Sequence, residues 1–324
     1  MAYSEARIKA TKYHPEKLPD SWYGAVPNLG EVAPPIVDLK RFSPFIITLT
    51  DIQLMPTGDP LFPVVAGSVE LRARYDDNRV QTNTGALLTL AGALPLPGAW
   101  RFPAKDILNY TLFGLAPGIA NFPTHYGLWV IKPTVAHKLL YGIKLTAEEQ
   151  ELNRKLGISD TVEKGLLPLP ISQQIEREYY VLGEETHTAA VTIGIANTLY
   201  TIENLYPRPN EFLVLTRIAT VQGLAAGNVR MLISRDGDNQ LADVATFPLS
   251  IVEGGEVGCF IPAIREISLQ TIAGIAPVAP FVPFPFRYTF LRVKWTNILR
   301  VRFGQVSKDE VPADLWEKVA AGVL

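Results

Sequence analysis

Cysteine is almost absent: Cys259 is the single one in 324 residues, so no intrachain disulfide and no cysteine-based zinc framework can form. Set in the apolar run GCFIP, it reads as a small buried hydrophobe. The four histidines, His14, His125, His137 and His187, show neither an HExxH pair nor zinc-finger spacing. No GxSxG elbow, P-loop or GxGxxG turn occurs. The neighbouring carboxylates Asp76 and Asp77, and Glu184 and Glu185, would point apart on an extended chain and offer no acid–base pair. RDGDNQ at 235–240 lacks the later ligands of a calcium loop and reads as a turn. Charge is sparse, at 19% of residues, and nearly balanced at −2, which argues against a strongly basic nucleic-acid binder but leaves local patches open. Residues 87–96 are apolar but far short of the roughly 20 residues of a spanning helix. The opening MAYSEARIKATKYHPEK carries no apolar signal core. The expectation is a non-enzymatic chain made in a cytoplasm, away from membranes, with no cofactor and no metal.

What the chain has in quantity is apolar residues, 48% of it, enough for a sizeable core, and proline. The 26 prolines are about 8% of the chain against a background of roughly 5%. More than half precede residue 134, in clusters such as VAPPIVDL, MPTGDPLFPVV and ALPLPGAWRFP, where their neighbours are large and apolar. Linkers and disordered tails are polar, so this region reads as ordered but extended. Residues 276–286, APVAPFVPFPF, have no polar side chain and four prolines, which removes both a helix and a central strand. Pro277, Pro280 and Pro283 recur at the period of polyproline II and leave Val278, Phe281 and Phe284 on the other edges.

The chain divides into five stretches. Residues 1–43 read as an extended arm with Trp22 and Tyr23 as anchors. Residues 44–133 form a proline-rich region of strands and loops. PFIITLTDIQLM and SVELRARY are strands there, the second alternating Val69, Leu71, Ala73 and Tyr75 with charged residues, and YDDNRVQTNTG is a turn or loop. Residues 134–185 form a short helical segment. Its firmest element starts at the capping box Thr146 and Glu149 and stops at Gly157, and two further short helices follow it. Residues 186–306 hold a series of short apolar runs punctuated by Gly, Pro, Asn and Asp, the pattern of an antiparallel β-sandwich, jelly-roll-like in its strand number. Residues 307–324 close as a helix, with Pro312 suited to its first turn. No internal sequence repeat is present. The fold class is mainly β.

YTFLRVKWTNILRVRF reads as a hairpin. A three-residue loop at Thr296, Asn297 and Ile298 pairs Trp295 with Leu299, Val293 with Val301 and Leu291 with Phe303. The opposite face then sets Lys294 against Arg300 and Arg292 against Arg302. Four opposed cations ask for an anion: phosphate, an acidic patch on a neighbouring subunit, or carboxylates of the same domain.

An extended arm, the proline-rich strips ALPLPGAWRFP and APVAPFVPFPF, a helical insert and a many-stranded sandwich together resemble, in architectural style, the virion structural proteins of tailed bacteriophages. The resemblance implies a capsid or capsid-associated protein of the virus particle that assembles with copies of itself and with other virion proteins. Stiff apolar segments lose little entropy on docking, and exposed together they would exceed the patch a monomer tolerates. The subunit-contact candidates are Trp22, Tyr23, Trp100, Phe102, Val278, Phe281, Phe284 and Phe286. The anion-contact candidates are Arg292, Lys294, Arg300 and Arg302. Folding back into the chain's own grooves is the competing arrangement. A carbohydrate- or receptor-binding sandwich, with Trp22 or Trp100 against the ligand, is the alternative function.

Overall fold

The computed structural model describes residues 16–26, 31–32, 37–38, 46–54, 69–75, 79–84, 102–104, 107–114, 119–131, 133–140, 143–158, 179–220, 229–237, 242–245, 257–273 and 283–324. A first run of strands comprises β1 (Glu16–Val26), β2 (Glu31–Val32), β3 (Val37–Asp38), β4 (Ile46–Leu54), β5 (Val69–Tyr75), β6 (Arg79–Thr84), β7 (Phe102–Ala104), β8 (Ile107–Gly114) and β9 (Ile119–Ile131). Helices α1 (Val135–Leu140) and α2 (Ala147–Leu156) follow. The second run is β10 (Tyr180–Val191), β11 (Tyr200–Leu205), β12 (Glu211–Thr220), β13 (Val229–Arg235), β14 (Ala242–Ala245), β15 (Val257–Ala263), β16 (Ile267–Ala273) and β17 (Phe284–Lys294). Helix α3 (Asn297–Arg302), a 3-10 turn (Lys308–Glu310) and helix α4 (Ala313–Ala321) end the chain.

The second run forms β10-β17-β12-β15 in one sheet and β11-β16-β13-β14 in another, with antiparallel neighbours throughout. Counted from β10, these orders are first, eighth, third, sixth and second, seventh, fourth, fifth, which is the jelly roll of two Greek keys. The first run repeats it. Its strands lie in the orders β1-β9-β4-β7 and β2-β8-β5-β6, with β3 also pairing β8, so β2 and β3 share the second position. The sequence between them holds Pro34 and Pro35. The two larger sheets meet where Lys17 of β1 stands opposite Phe260 of β15, giving one eight-stranded sheet, β10-β17-β12-β15-β1-β9-β4-β7. The protein is mainly β, an antiparallel β-sandwich protein of jelly-roll topology with few helices.

Several expectations need correction. The stretch read as an arm supplies β1, an interior strand of the large sheet, paired to β9 from Glu16 to Val26. YDDNRVQTNTG, read as a loop, contains β6. The sequence has no internal repeat, yet the strand order repeats, because burial and turn chemistry can be met by different residues at equivalent positions. The last of the short helices expected after α2, in SQQIEREYYVLG at 172–183, is corrected at its end, since β10 begins at Tyr180. The prolines of 276–286 argue against a central strand, but Phe284, Pro285 and Phe286 open β17, which lies between β10 and β12. Pro285 stands opposite Ala190 of β10, near the strand's start, a position that proline tolerates.

Residues buried on alternate positions identify the inner faces. In β13 these are Val229, Met231, Ile233 and Arg235, and in β16 Ile267, Leu269, Thr271 and Ala273. Leu213, Leu215, Ile261, Phe284, Phe286, Tyr288 and Phe290 are buried on the sheet opposite. The buried Arg235 ties the layers by donating Nη1 to the Pro262 carbonyl oxygen at 2.8 Å. Cys259 is buried and its thiol donates to the Leu215 carbonyl, as its apolar setting predicts. At the turn after β13, Asp236 and Gly237 have φ of 51° and 85°, a conformation that Asp tolerates and Gly favours. The Asp236 carboxylate accepts from the backbone N–H groups of Ile264, Arg265 and Glu266, fixing the β15–β16 turn.

The outer face of the large sheet is covered too. Phe212, Val214, Phe260, Leu291 and Val293 pack with Leu299 and Phe303 of the α3 region and with Tyr179. A smaller cluster joins the other helices: Val135 and Ala136 of α1, Ile158 after α2, and Ala321 of α4. The predicted capping box at α2 is present, with Thr146 and Glu149 each receiving the other's backbone N–H and Gly157 left-handed at the C-terminus. Pro312 stands at the N-cap of α4, one position before the first turn.

Candidate assembly surface

Of the residues predicted to touch neighbouring subunits, Phe284 and Phe286 are corrected outright. Both are fully buried inside the second jelly roll, their rings 5.1 Å apart, and neither can meet another chain. Even spacing along β17 turns them onto the inner face, where the apolar content of this segment has its use. Trp22 and Tyr23 lie in β1 opposite Thr124 and Pro123, and Phe102 lies in β7 opposite Leu49. Trp100, Val278 and Phe281 lie outside the described residues.

The basic hairpin is also corrected. After Trp295, whose N–H donates to the Asn210 carbonyl, the chain turns into α3. Thr296 caps it by accepting from Leu299 N–H, and Leu299 and Phe303, one helical turn apart, drop onto Phe212 and its neighbours. A six-residue apolar alternation fits either period, and the cap together with the awaiting apolar face selects the helix. Arg300 and Arg302 therefore ride on a helix and do not face Lys294 and Arg292. Lys294 is exposed, its ammonium 5.7 Å from the centre of the Tyr180 ring.

Arg292 already has its anions within the chain. Its Nε donates to Glu185 at 2.5 Å and its Nη1 lies 3.5 Å from Glu211. The hydrogen bond from Arg292 holds the Glu185 carboxyl below the usual carboxylate value, and Glu185 in turn raises the guanidinium. Next along the same face of β10, His187 has Nε2 3.5 Å from Glu185 and Nδ1 3.4 Å from Glu203 of β11. Its ring leans on Phe290 and Tyr288. This row of charge lies at the rim where the two sheets of the second unit part. No group of three or more His, Cys, Asp or Glu among the described residues is placed to hold a metal.

The feature that sequence reasoning missed is the strand carrying this row. β10 ends the large sheet: it pairs β17 on one side, and among the described residues no strand pairs its other side. It is 12 residues long, YVLGEETHTAAV, with neither proline nor lysine, and its pairing with β17 shifts register at a bulge between Val181 and Gly183. Large apolar side chains stand exposed at both of its ends: Tyr180 (62%) and Leu182 (47%) at the start, and Ile195 (66%) just past the finish. Tyr206, after β11, lies exposed at the Tyr180 end. A run of alternation announces a strand, but only pairing reveals an edge.

No family model matches the chain, and no curated protein matches it by sequence. Among solved structures, the chain is similar to that of the Macrobrachium rosenbergii nodavirus at 9% identity and a TM-score of 0.25, covering 89% of this chain and 93% of that one. It is similar at 9% and 0.24 to a chain of Sulfolobus turreted icosahedral virus, covering 87% of this chain and 60% of that one. It is also similar at 10% and 0.21 to the tandem CBM22 domains of Paenibacillus barcinonensis Xyn10C, covering 89% and 95%. Weak structural neighbours thus include viral proteins and a tandem of CBM22 domains. Superposition at this level is too loose to carry an argument, and the fold rests on the chain's own strand order.

Proposed function

We propose that this chain is a non-enzymatic structural subunit of a virus particle, one that joins copies of itself and other particle proteins. Jelly rolls serve as capsid, lectin and cupin domains alike, so the fold by itself does not choose among them. The observation that supports the assembly reading is side-by-side tiling: two jelly rolls share one sheet through Lys17 and Phe260, and among the described residues that sheet ends in β10. The chain already holds one unit-to-unit joint and presents an edge for another. The narrower assignment, to the capsid or capsid-associated proteins of tailed bacteriophages, rests on the style of the proline-rich segments. Light scattering on the purified chain at two concentrations, with electron micrographs of the denser sample, tests the reading. Growth into large, regular assemblies is expected, and a monomer mass at both concentrations overturns it.

Exposed Tyr180 and Tyr206, at one end of the second unit, favour a second reading, a carbohydrate- or receptor-binding module, because exposed rings stack well on sugar faces. A glycan array separates the two. Binding that is lost with both tyrosines, in a chain that stays monomeric, supports the second.

A further inference from the structure

We infer that β10 is a self-complementary edge: two copies of this chain pair antiparallel through β10 about a two-fold axis at Thr186, continuing the large sheet from one molecule into the next. The inference rests on the assembly reading above and names its contact. Among the described residues no strand pairs the outer side of β10; such an edge offers a row of backbone donors and acceptors, and a second β10 offers the matching row. The intrachain joint at Lys17 and Phe260 extends the same sheet at an inner boundary, so edge-to-edge continuation is a contact this architecture already uses.

The register follows from the side chains. Opposed residues of an antiparallel pair share a face, so a two-fold must centre on a residue. Centring on Glu185 sets that carboxylate against its own copy, a like-charge pair. Centring on His187 sets imidazole against imidazole and leaves each Glu185 opposite Ala189. Centring on Thr186 sets Glu185 of each copy against His187 of the other, twice, and Glu184 against Thr188. The row that His187 makes with Glu185 and Glu203 within one chain thereby gains a second carboxylate from the mate. The same register sets Gly183 opposite Ala189 and, beyond the bulge between Val181 and Gly183, carries the exposed Tyr180 and Leu182 of one copy toward the finish of the other's β10, past which Ile195 is exposed. Exposed apolar groups at the two ends of one strand are what an antiparallel two-fold covers, since it brings each start beside a finish. Isologous pairing of this kind closes on itself and leaves the rest of the molecule for other contacts.

Paired cysteines read the register directly. Opposed Cα atoms in an antiparallel pair lie about 4.5 to 5.5 Å apart, within disulfide range. In the full chain, T186C should form a disulfide-linked dimer under mild oxidation, whereas T188C, which faces Glu184 of the mate, should not; the buried Cys259 does not compete. T186K sets two ammonium groups against each other and should raise the dimer dissociation constant about tenfold in sedimentation. A chain that sediments as a monomer throughout overturns this pairing and the assembly reading together. Larger assemblies in which T186C stays unlinked, or links no faster than T188C, overturn the β10 pairing and leave the assembly reading standing.

Discussion

Substituting Arg292 by glutamine asks whether this cation is held for a partner or for the fold. The guanidinium lies 2.5 Å from Glu185 and 3.5 Å from Glu211, and its side chain is 14% exposed. A charge-assisted hydrogen bond contributes about 1.5–3 kcal/mol net. Orphaning a buried charge pushes the loss toward about 3–5 kcal/mol. Glu185, 32% exposed, is partly screened by water and pulls the figure toward the surface-pair range of at most about 1 kcal/mol, while Glu211, at 14%, is the costlier orphan. The expected loss for R292Q is about 2 kcal/mol, read by urea unfolding, with a double-mutant cycle against E185Q giving a coupling of about 1 kcal/mol. The pH dependence has a definite sign. Arg292 depresses the Glu185 pKa in the fold, so this stabilisation is fully present above the unfolded value near 4.5 and is lost as pH falls through the folded value. The gap between parent and R292Q should therefore hold constant from neutral pH down to about 4.5 and narrow below it. An R292Q chain within about 0.5 kcal/mol of the parent, or one uncoupled from E185Q, refutes the reasoning and returns Arg292 to the role of a free anion contact.

D236A strips the acceptor from three backbone N–H groups of the β15–β16 turn and should lower stability by about 2 kcal/mol in denaturant unfolding, with D236N losing less because it keeps one acceptor and tolerates positive φ. F212A removes a fully buried ring that packs on Trp295 and Phe303. It should cost about 3–5 kcal/mol, with Trp295 emission shifting to the red as water reaches the underside of α3. G322A forces an alanine to φ of 81° and drives its methyl into the Thr134 side chain, for a loss of about 2 kcal/mol in thermal unfolding; adding T134A should recover the steric share and leave the backbone share.

Local signals in the chain were enough for the class of fold and for much of its punctuation. Thr146, Glu149 and Gly157 mark α2 because caps are local chemistry, satisfied by neighbours three or four residues away. The alternations at Val69–Tyr75 and through the later runs mark strands because side-chain direction follows directly from an extended backbone. Proline counts spoke for extended, ordered chain but not for where it packs: the same oily quality that suggested Phe284 and Phe286 as contacts is what the inner face of a sandwich requires. Six residues of alternation after Trp295 suit a strand or a short helix, and the choice of α3 depends on an apolar face built by Phe212, Val214 and Leu291, which are remote in sequence or on another strand. Pairing partners are long-range facts of the same kind. That β1 would continue the sheet of β15, that the jelly-roll order would occur twice without a sequence repeat, and that β10 would end the large sheet among the described residues all depend on which strands meet, and a strand's own residues specify its faces far more strongly than its neighbours.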